Sequence, residues 1–543
     1  GRQESRQVLT LLRFSRVARG PAPAKPDLYQ ALVDDQFPAQ LEATLATLAP
    51  AESALGPEPA VRAVAGIVAA QGQENRVIYL VSDFRAKDWD QPTGLRDALS
   101  GVTGAGARLQ LIHCVDAEHA NLAITSLVPG AGIVAANVPL QLDVTVHNFG
   151  TRAANNVTVL LSEDDTVRPG LAIESIPAGK SAVRRFTSFF ATAGQHRVRA
   201  QIENDITVAA DNMRYAVLDV PASAPALLID GDPRPRDARL LAAALAPGGK
   251  VSTGVAPLVE SPGYLRDHVL DRFATLYLLN IDRLDETELR AVEEFARSGR
   301  GVALFLGERC RAEYLNAALY RDGQGLLPTP LTQPVQLLVD RLDKTPDLQV
   351  TDHPVFRVFA GERNSFLQTV NVDWYFGVPP AWQPPPDRSV RVIARLRNQA
   401  PLAVEQRFGQ GRVVAFLTKL GPGETPQGSW NNWGRENPSF VVAMLELQAY
   451  LMASGAPQAD RLVGAPLELR FPAGRFQPQV RFALPHDKST SSVPVNSEAA
   501  GADRLAQFTD VDVSGVYQAQ LTGTDGKEEL RQFAVNVDPA EGD

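Results

Sequence analysis

Between Ala274 and Glu308 the hydrophobic period changes twice within a short span. Thr275 to Leu279 is an unbroken apolar run, as expected of a strand covered on both faces of a parallel sheet. Asp285 followed by Glu288 forms a capping box, and Leu289, Val292, Phe295 and Ala296 then recur at helical spacing until Gly299. Gly301 to Gly307 starts the next buried strand, so the stretch predicts a βαβ unit.

Upstream, 7–14 and 75–84 read as strands, 59–70 and 95–99 as helices, and 108–115 as a further strand. This predicts an α/β domain over 1–122, expected to be partial, with Asp83 at the end of its best strand. From Ala123 to Val220 the period becomes two, clearest over Pro139 to Asn148, and turn residues separate each run, which predicts a β-sandwich over 123–221. A third domain, α/β, is expected over 222–455. It opens on the strand Pro225 to Asp230, contains the βαβ unit, is irregular and Pro-rich from Gly325 to Pro386, and ends in a helix that Asn437 caps. Residues 456–543 alternate again, with Asp525-Gly526 as a hairpin turn, and predict a second sandwich in which 488–503 is a loop.

Four domains fit a length of 543 residues. The net charge of −9 supplies no basic field, which argues against nucleic acid as a partner. Two cysteines, Cys114 and Cys310, are too few for a disulfide framework and leave the compartment open. No apolar run approaches the ~18 residues of a membrane span and no signal peptide is visible, so a soluble internal fragment is expected, with any anchor outside it.

The candidate chemistry is sparse. Asp83, Asp230 and Asp232 end strands, and the carboxyl edge of a parallel sheet is where such folds bind ligands. The alternative for Asp230 and Asp232 is capping of the following loop and helix. Cys310 is the only Cys of the third domain, and sequence spacing does not pair it with His353. His147 and His196 sit in alternation phase without a second metal ligand at useful spacing. Trp430-Asn431-Asn432-Trp433 is a candidate binding surface, because exposed Trp beside amides stacks on sugars or anchors a partner. Trp packed beneath a long loop is the other reading, and Trp's usual burial favours it.

Several stretches resemble known families. NRVIYLVSDF at 75–84 resembles the central strand of von Willebrand factor A domains, in which an Asp after that strand helps to hold a divalent metal. Asp83 matches that Asp, but the Asp-x-Ser-x-Ser loop is absent and Gly56-Pro57-Glu58 stands where a Thr is expected, so no metal site is anticipated. Val146 to Gly150, Pro177 to Gly179, Gly194 to Val198 and Asp211-Asn212 resemble adhesion-type, CARDB-like immunoglobulin domains of bacterial surface proteins. Residues 222–455 resemble class I glutamine amidotransferase-like domains, but the strand before Cys310 lacks the Gly-x-Cys-x-Gly elbow, and Thr418-Lys419 stands where His and Glu belong. The order of domains, with LLIDGDP at 227–233 and WNNWGRENPSF at 430–440, resembles BatA-type membrane proteins of planctomycete-like bacteria. That resemblance implies a non-catalytic scaffold of a cell-envelope assembly, extracytoplasmic and membrane-associated, with protein partners and no cofactor. The competing expectation is a hydrolase or amidotransferase using Cys310, His353 or the Asp230/Asp232 rim.

Overall fold

The computed structural model describes residues 7–17, 26–48, 52, 56–70, 75–84, 89, 92–104, 106–115, 120–130, 132–203, 210–249, 252–338, 345–359, 365–387, 389–423, 429–453, 460–485 and 492–539. It is a β-rich multidomain protein. Among these residues no helix is long and apolar enough to cross a membrane.

In the first unit, strand Val77–Ser82 pairs in parallel with Arg108–His113, and helices Pro57–Ala70 and Pro92–Gly104 cover one face. Leu80, Val61, Leu95, Ala98 and Val102 form a small core there. The first expected strand shortens to Val8–Leu11 and leaves this sheet, pairing antiparallel with Leu28–Leu32. The reason is local: the Arg13 side chain and backbone N–H bond Asp27, which folds the chain back on itself, and Phe14 starts a short helix.

The following sandwich stacks two antiparallel sheets. Pro139–Asn148 lies between Leu122–Pro129 and Ser181–Phe189 in one, and Gly194–Ile202 lies between Met213–Val220 and Ala154–Glu163 in the other. Inward-facing Leu140, Leu142, Val144 and Val146 are buried as the period-two pattern requires. A second sandwich closes the chain, built on Gly515–Gly523 paired with Glu528–Asn536 and Phe476–Ala483. Within the expected 488–503 loop, Ser492–Asn496 and Glu498–Ala500 are strands, because each finds an edge to pair with (Phe476–Ala483 and Asp503–Phe508); 488–491 lie outside the described residues.

The two sandwiches meet through polar groups. The Asn536 amide bonds the backbone of Tyr215 in both directions, accepting at 2.7 Å and donating at 3.0 Å. Buried Arg214 pairs with Asp460.

Between them in sequence lies one sheet of eight strands, in the order Val255–Glu260, Ala224–Asp230, Thr275–Leu279, Gly301–Phe305, Gly411–Phe416, Pro401–Phe408, Val390–Leu396 and Leu348–Val350. The first five are parallel and the last three antiparallel. The capping box at Asp285 and Glu288 forms as expected, and Gly299 (φ +101) ends that helix. Successive residues of each inner strand feed two separate cores, Ala226 and Leu228 on one face, Leu227 and Ile229 on the other. Gly301 lets helix Ser439–Met452 approach, since a Cβ there would stand 2.6 Å from the Leu451 Cβ. That helix starts at Pro438 rather than on an Asn437 cap, because the Asn437 side chain accepts instead from the Thr369 hydroxyl at 2.5 Å.

Candidate functional site

The chain leaves Ala224–Asp230, builds the strand on one side of it, then crosses to Thr275–Leu279 on the other side. At that reversal the carboxyl ends of the parallel strands form the crevice in which open α/β sheets carry ligands. Side chains fill it here. Asp230 accepts from the backbone N–H of Asp232 at 2.9 Å and of Ala238 at 3.0 Å, which ties the strand end to the first turn of helix Arg236–Leu245. Burial holds its carboxyl above the usual range, and the two N–H groups offset part of that. Asp232 accepts from the N–H of Arg234. Both acids therefore serve the loop they precede.

Beside Asp230, Asn280 is fully buried in a left-handed conformation (φ +50). Its side chain donates to Glu308 at 3.2 Å and accepts from the N–H of Arg309 at 3.0 Å, bridging the ends of two strands. Gly231 and Gly307 are required on either side of it, since a Cβ at Gly231 would strike the Asn280 backbone and one at Gly307 its side chain.

Lys419 completes the cluster. Its ammonium lies 2.9 Å from Glu308 Oε1 and 3.1 Å from Asp237 Oδ2, with both the Lys419 and Asp237 side chains 5% exposed. Burial pulls the Lys419 pKa down, but the two carboxylates outweigh it and the net direction is up. Burial raises Asp237, and Lys419 offsets only part of that. The Lys419 carbonyl accepts from Asn431 at 2.7 Å, and Asn431 accepts from the N–H of Trp433.

The expected binding surface is therefore internal. Trp430, Asn431 and Trp433 are buried and Asn432 is partly so. Trp430 stacks on Phe376 at 6.0 Å, and Trp433 packs beside Phe416 and Phe440 while donating to Ser439. Asn432 accepts from the N–H of Asn371 and its amide donates to Thr369. The Asn432 amide thereby anchors the chain at Thr369 and Asn371.

Cys310 and His353 do not meet. Cys310 is buried on one face of the sheet, where its thiol donates to the Ile281 carbonyl at 3.3 Å, and burial pushes its pKa up to about 12. His353 lies on the other face beside Val355 and Phe356, 3.2 Å from Glu405, which also accepts from the Tyr450 hydroxyl at 2.6 Å. Both cysteines are free thiols.

Asp83 follows strand Val77–Ser82, where its carbonyl meets His113 at 3.0 Å and Ser82 donates to its carboxylate. Pro57 and Glu58 open a helix, and Glu58 pairs with Arg62. His147 meets Ser181, and His196 lies between Asp164 and the Thr192 carbonyl. Among the described residues no group of three or more His, Cys, Asp or Glu could hold a metal ion. Sequence reasoning missed Asp237 and Glu308; their signal was a charged residue directly after a buried strand or in the first turn of the helix beside one.

The family model that matches this chain covers one domain. No curated protein matches the chain. A CARDB domain of Pyrococcus furiosus solved in solution is 18% identical and covers 20% of this chain and 100% of its own, with a TM-score of 0.18. A domain of a putative cell surface protein from Methanosarcina acetivorans is 20% identical over 19% of this chain and 93% of its own, with a TM-score of 0.17. The CARDB family model matches residues 119–214, which hold most of the first sandwich. Residues 119–214 are a CARDB domain, an immunoglobulin-like β-sandwich.

Proposed function

We propose that the chain is a non-catalytic interaction module of a bacterial cell-envelope assembly, extracytoplasmic and engaging protein partners. The observation that carries this reading is the Lys419–Glu308–Asp237 network, which stands where an open α/β sheet performs its chemistry. In an amidotransferase-like domain the base follows the late strand, and here that position is Lys419, an ammonium committed to two carboxylates. A thiol nucleophile needs a lowered pKa and a neighbouring base, whereas Cys310 is buried, protonated and on the opposite face from His353. The CARDB sandwich supports the surface-protein context.

The test is an activity panel on the purified chain: ammonia release from glutamine and hydrolysis of p-nitrophenyl acetate. Rates equal to buffer are expected for the wild type, Cys310→Ser and Lys419→Met alike. Turnover that either substitution abolishes would overturn the reading. Protease treatment of intact cells is expected to remove an epitope placed in the CARDB domain.

A further inference from the structure

The first sandwich and the last one meet along a contact that leaves a cleft between them. Gln532 donates its backbone N–H to the Gln195 side-chain oxygen at 2.7 Å, and Asn536 bonds the Tyr215 backbone further along the same contact. Both glutamines line a cavity of about 140 Å³. The first sandwich adds Val217 and exposed Asp219 to its wall, and the second adds Arg461, Arg531 and Phe533.

Two polar groups of that wall are unmet. The Arg461 guanidinium lies over the Phe533 ring, 5.2 Å from its centre, and among the described residues it has neither an ion-pair nor a hydrogen-bond partner. Arg531 is instead held by two hydrogen bonds to Glu529, at 3.0 and 2.9 Å. The Gln532 side-chain oxygen is buried and has no donor among the described residues. Buried acceptors in folded proteins are nearly always met. A cation and an acceptor without partners in one cleft are the complement of an anion that carries a donor close by.

We propose that the cleft binds the α-carboxylate of a single residue with an apolar side chain. The carboxylate pairs with Arg461, whose planar guanidinium presents parallel N–H groups to both oxygens. The nitrogen on the adjacent carbon donates to the Gln532 oxygen, and Val217 and Phe533 form an apolar wall for the side chain. Size limits the occupant. Pockets that enclose a drug-sized molecule run to ~300–1,000 Å³, so a cavity of about 140 Å³ admits one residue and not an extended segment. Inorganic phosphate and sulfate are poorer occupants, since they bring no N–H to Gln532 and set a second negative charge against Asp219. A free amino acid and the C-terminal residue of a partner peptide share the chemistry that fits. They differ at the nitrogen, an ammonium that also meets Asp219 in the first and an amide N–H in the second. With the peptide as source, the site rests on the interaction-module reading and names what that module recognises. Turnover in the activity panel would refute that reading without touching the cleft, and absence of binding here would leave the panel's result standing.

The test is calorimetric titration of the whole chain with leucine, N-acetyl-leucine and N-acetyl-leucinamide. Saturable binding with a Kd below about 5 mM is expected for at least one of the two acids. Tighter binding of leucine assigns the site to a free amino acid, and tighter binding of N-acetyl-leucine assigns it to a peptide C-terminus. N-acetyl-leucinamide, which lacks the carboxylate, is expected to bind at least about tenfold more weakly than N-acetyl-leucine, a comparison that needs no variant. Arg461→Gln is expected to weaken the better acid at least about tenfold, and Arg481→Gln, an exposed arginine of the same sandwich outside the cleft, to leave it unchanged. Absence of saturable binding by both acids, equal affinity for the amide, or equal affinity in Arg461→Gln would overturn the proposal.

Discussion

Replacing Lys419 by Met keeps the aliphatic stem and removes the charge that two carboxylates share. Glu308 is 32% exposed and can turn toward water, but Asp237 is 5% exposed and cannot. Left alone, a buried carboxylate takes up a proton rather than stay charged. In the folded wild type, burial already pushes the Asp237 carboxyl up to about 6 from its ordinary 3.8. Relative to that state, keeping the proton at pH 7 spans one unit and costs the variant about 1.4 kcal/mol at ~1.36 kcal/mol per unit. At pH 5 the wild-type group already holds its proton, so that difference nearly vanishes. The sign follows from linkage: above about 6 the wild-type folded state releases the proton and the variant's does not, so the variant's extra loss grows as pH rises through that value. Urea unfolding followed by tryptophan fluorescence reads this domain well, since Trp374, Trp382, Trp430 and Trp433 are four of the chain's five Trp. The variant is expected to lose about 1–2 kcal/mol at pH 7 and under about 1 at pH 5, and Asp237→Asn added to it is expected to restore most of the neutral-pH loss. A loss at pH 5 as large as that at pH 7 would refute the argument.

Three further outcomes are expected. Iodoacetamide at pH 8 modifies exposed Cys114 in the native chain and spares Cys310 until denaturant is added, which peptide mass spectrometry detects. For Glu405, burial alone would raise the carboxyl, but hydrogen bonds from His353 and Tyr450 outweigh it and hold it below its ordinary 4.5. Its stabilisation is therefore full above 4.5 and is lost as pH falls through the lower folded value, so Glu405→Gln is expected to flatten the acid limb of an unfolding titration at a cost at neutral pH. Asn536→Ala removes both bonds to the Tyr215 backbone and leaves a buried N–H and C=O unmet, for a loss of about 1–3 kcal/mol. Limited proteolysis should then separate the two sandwiches faster, and an unchanged cleavage rate would mean the junction holds without the amide.

What local chemistry alone controls was legible before any fold was known. The Asp285 and Glu288 capping box, the Gly299 stop and the unbroken apolar run Thr275 to Leu279 depend on neighbours within a few residues, and each forms where its pattern places it. Period two over Pro139 to Asn148 likewise fixed which side chains of that strand turn inward. Tertiary structure decided the rest because long-range pairing is not written in the period of a segment. Val8–Leu11 reads like any other strand of the first domain, and the Arg13–Asp27 contact and the ladder it accompanies draw it to Leu28–Leu32. Trp430 to Trp433 carries the composition of a binding surface, and it is buried because the 325–386 segment and helix Ser439–Met452 close over it. Lys419, Glu308 and Asp237 are separated by more than a hundred residues or by whole strands, yet the parallel register of the sheet delivers all three to one crevice. A charge in sequence has no sign of its partner until the sheet sets which strand ends lie side by side.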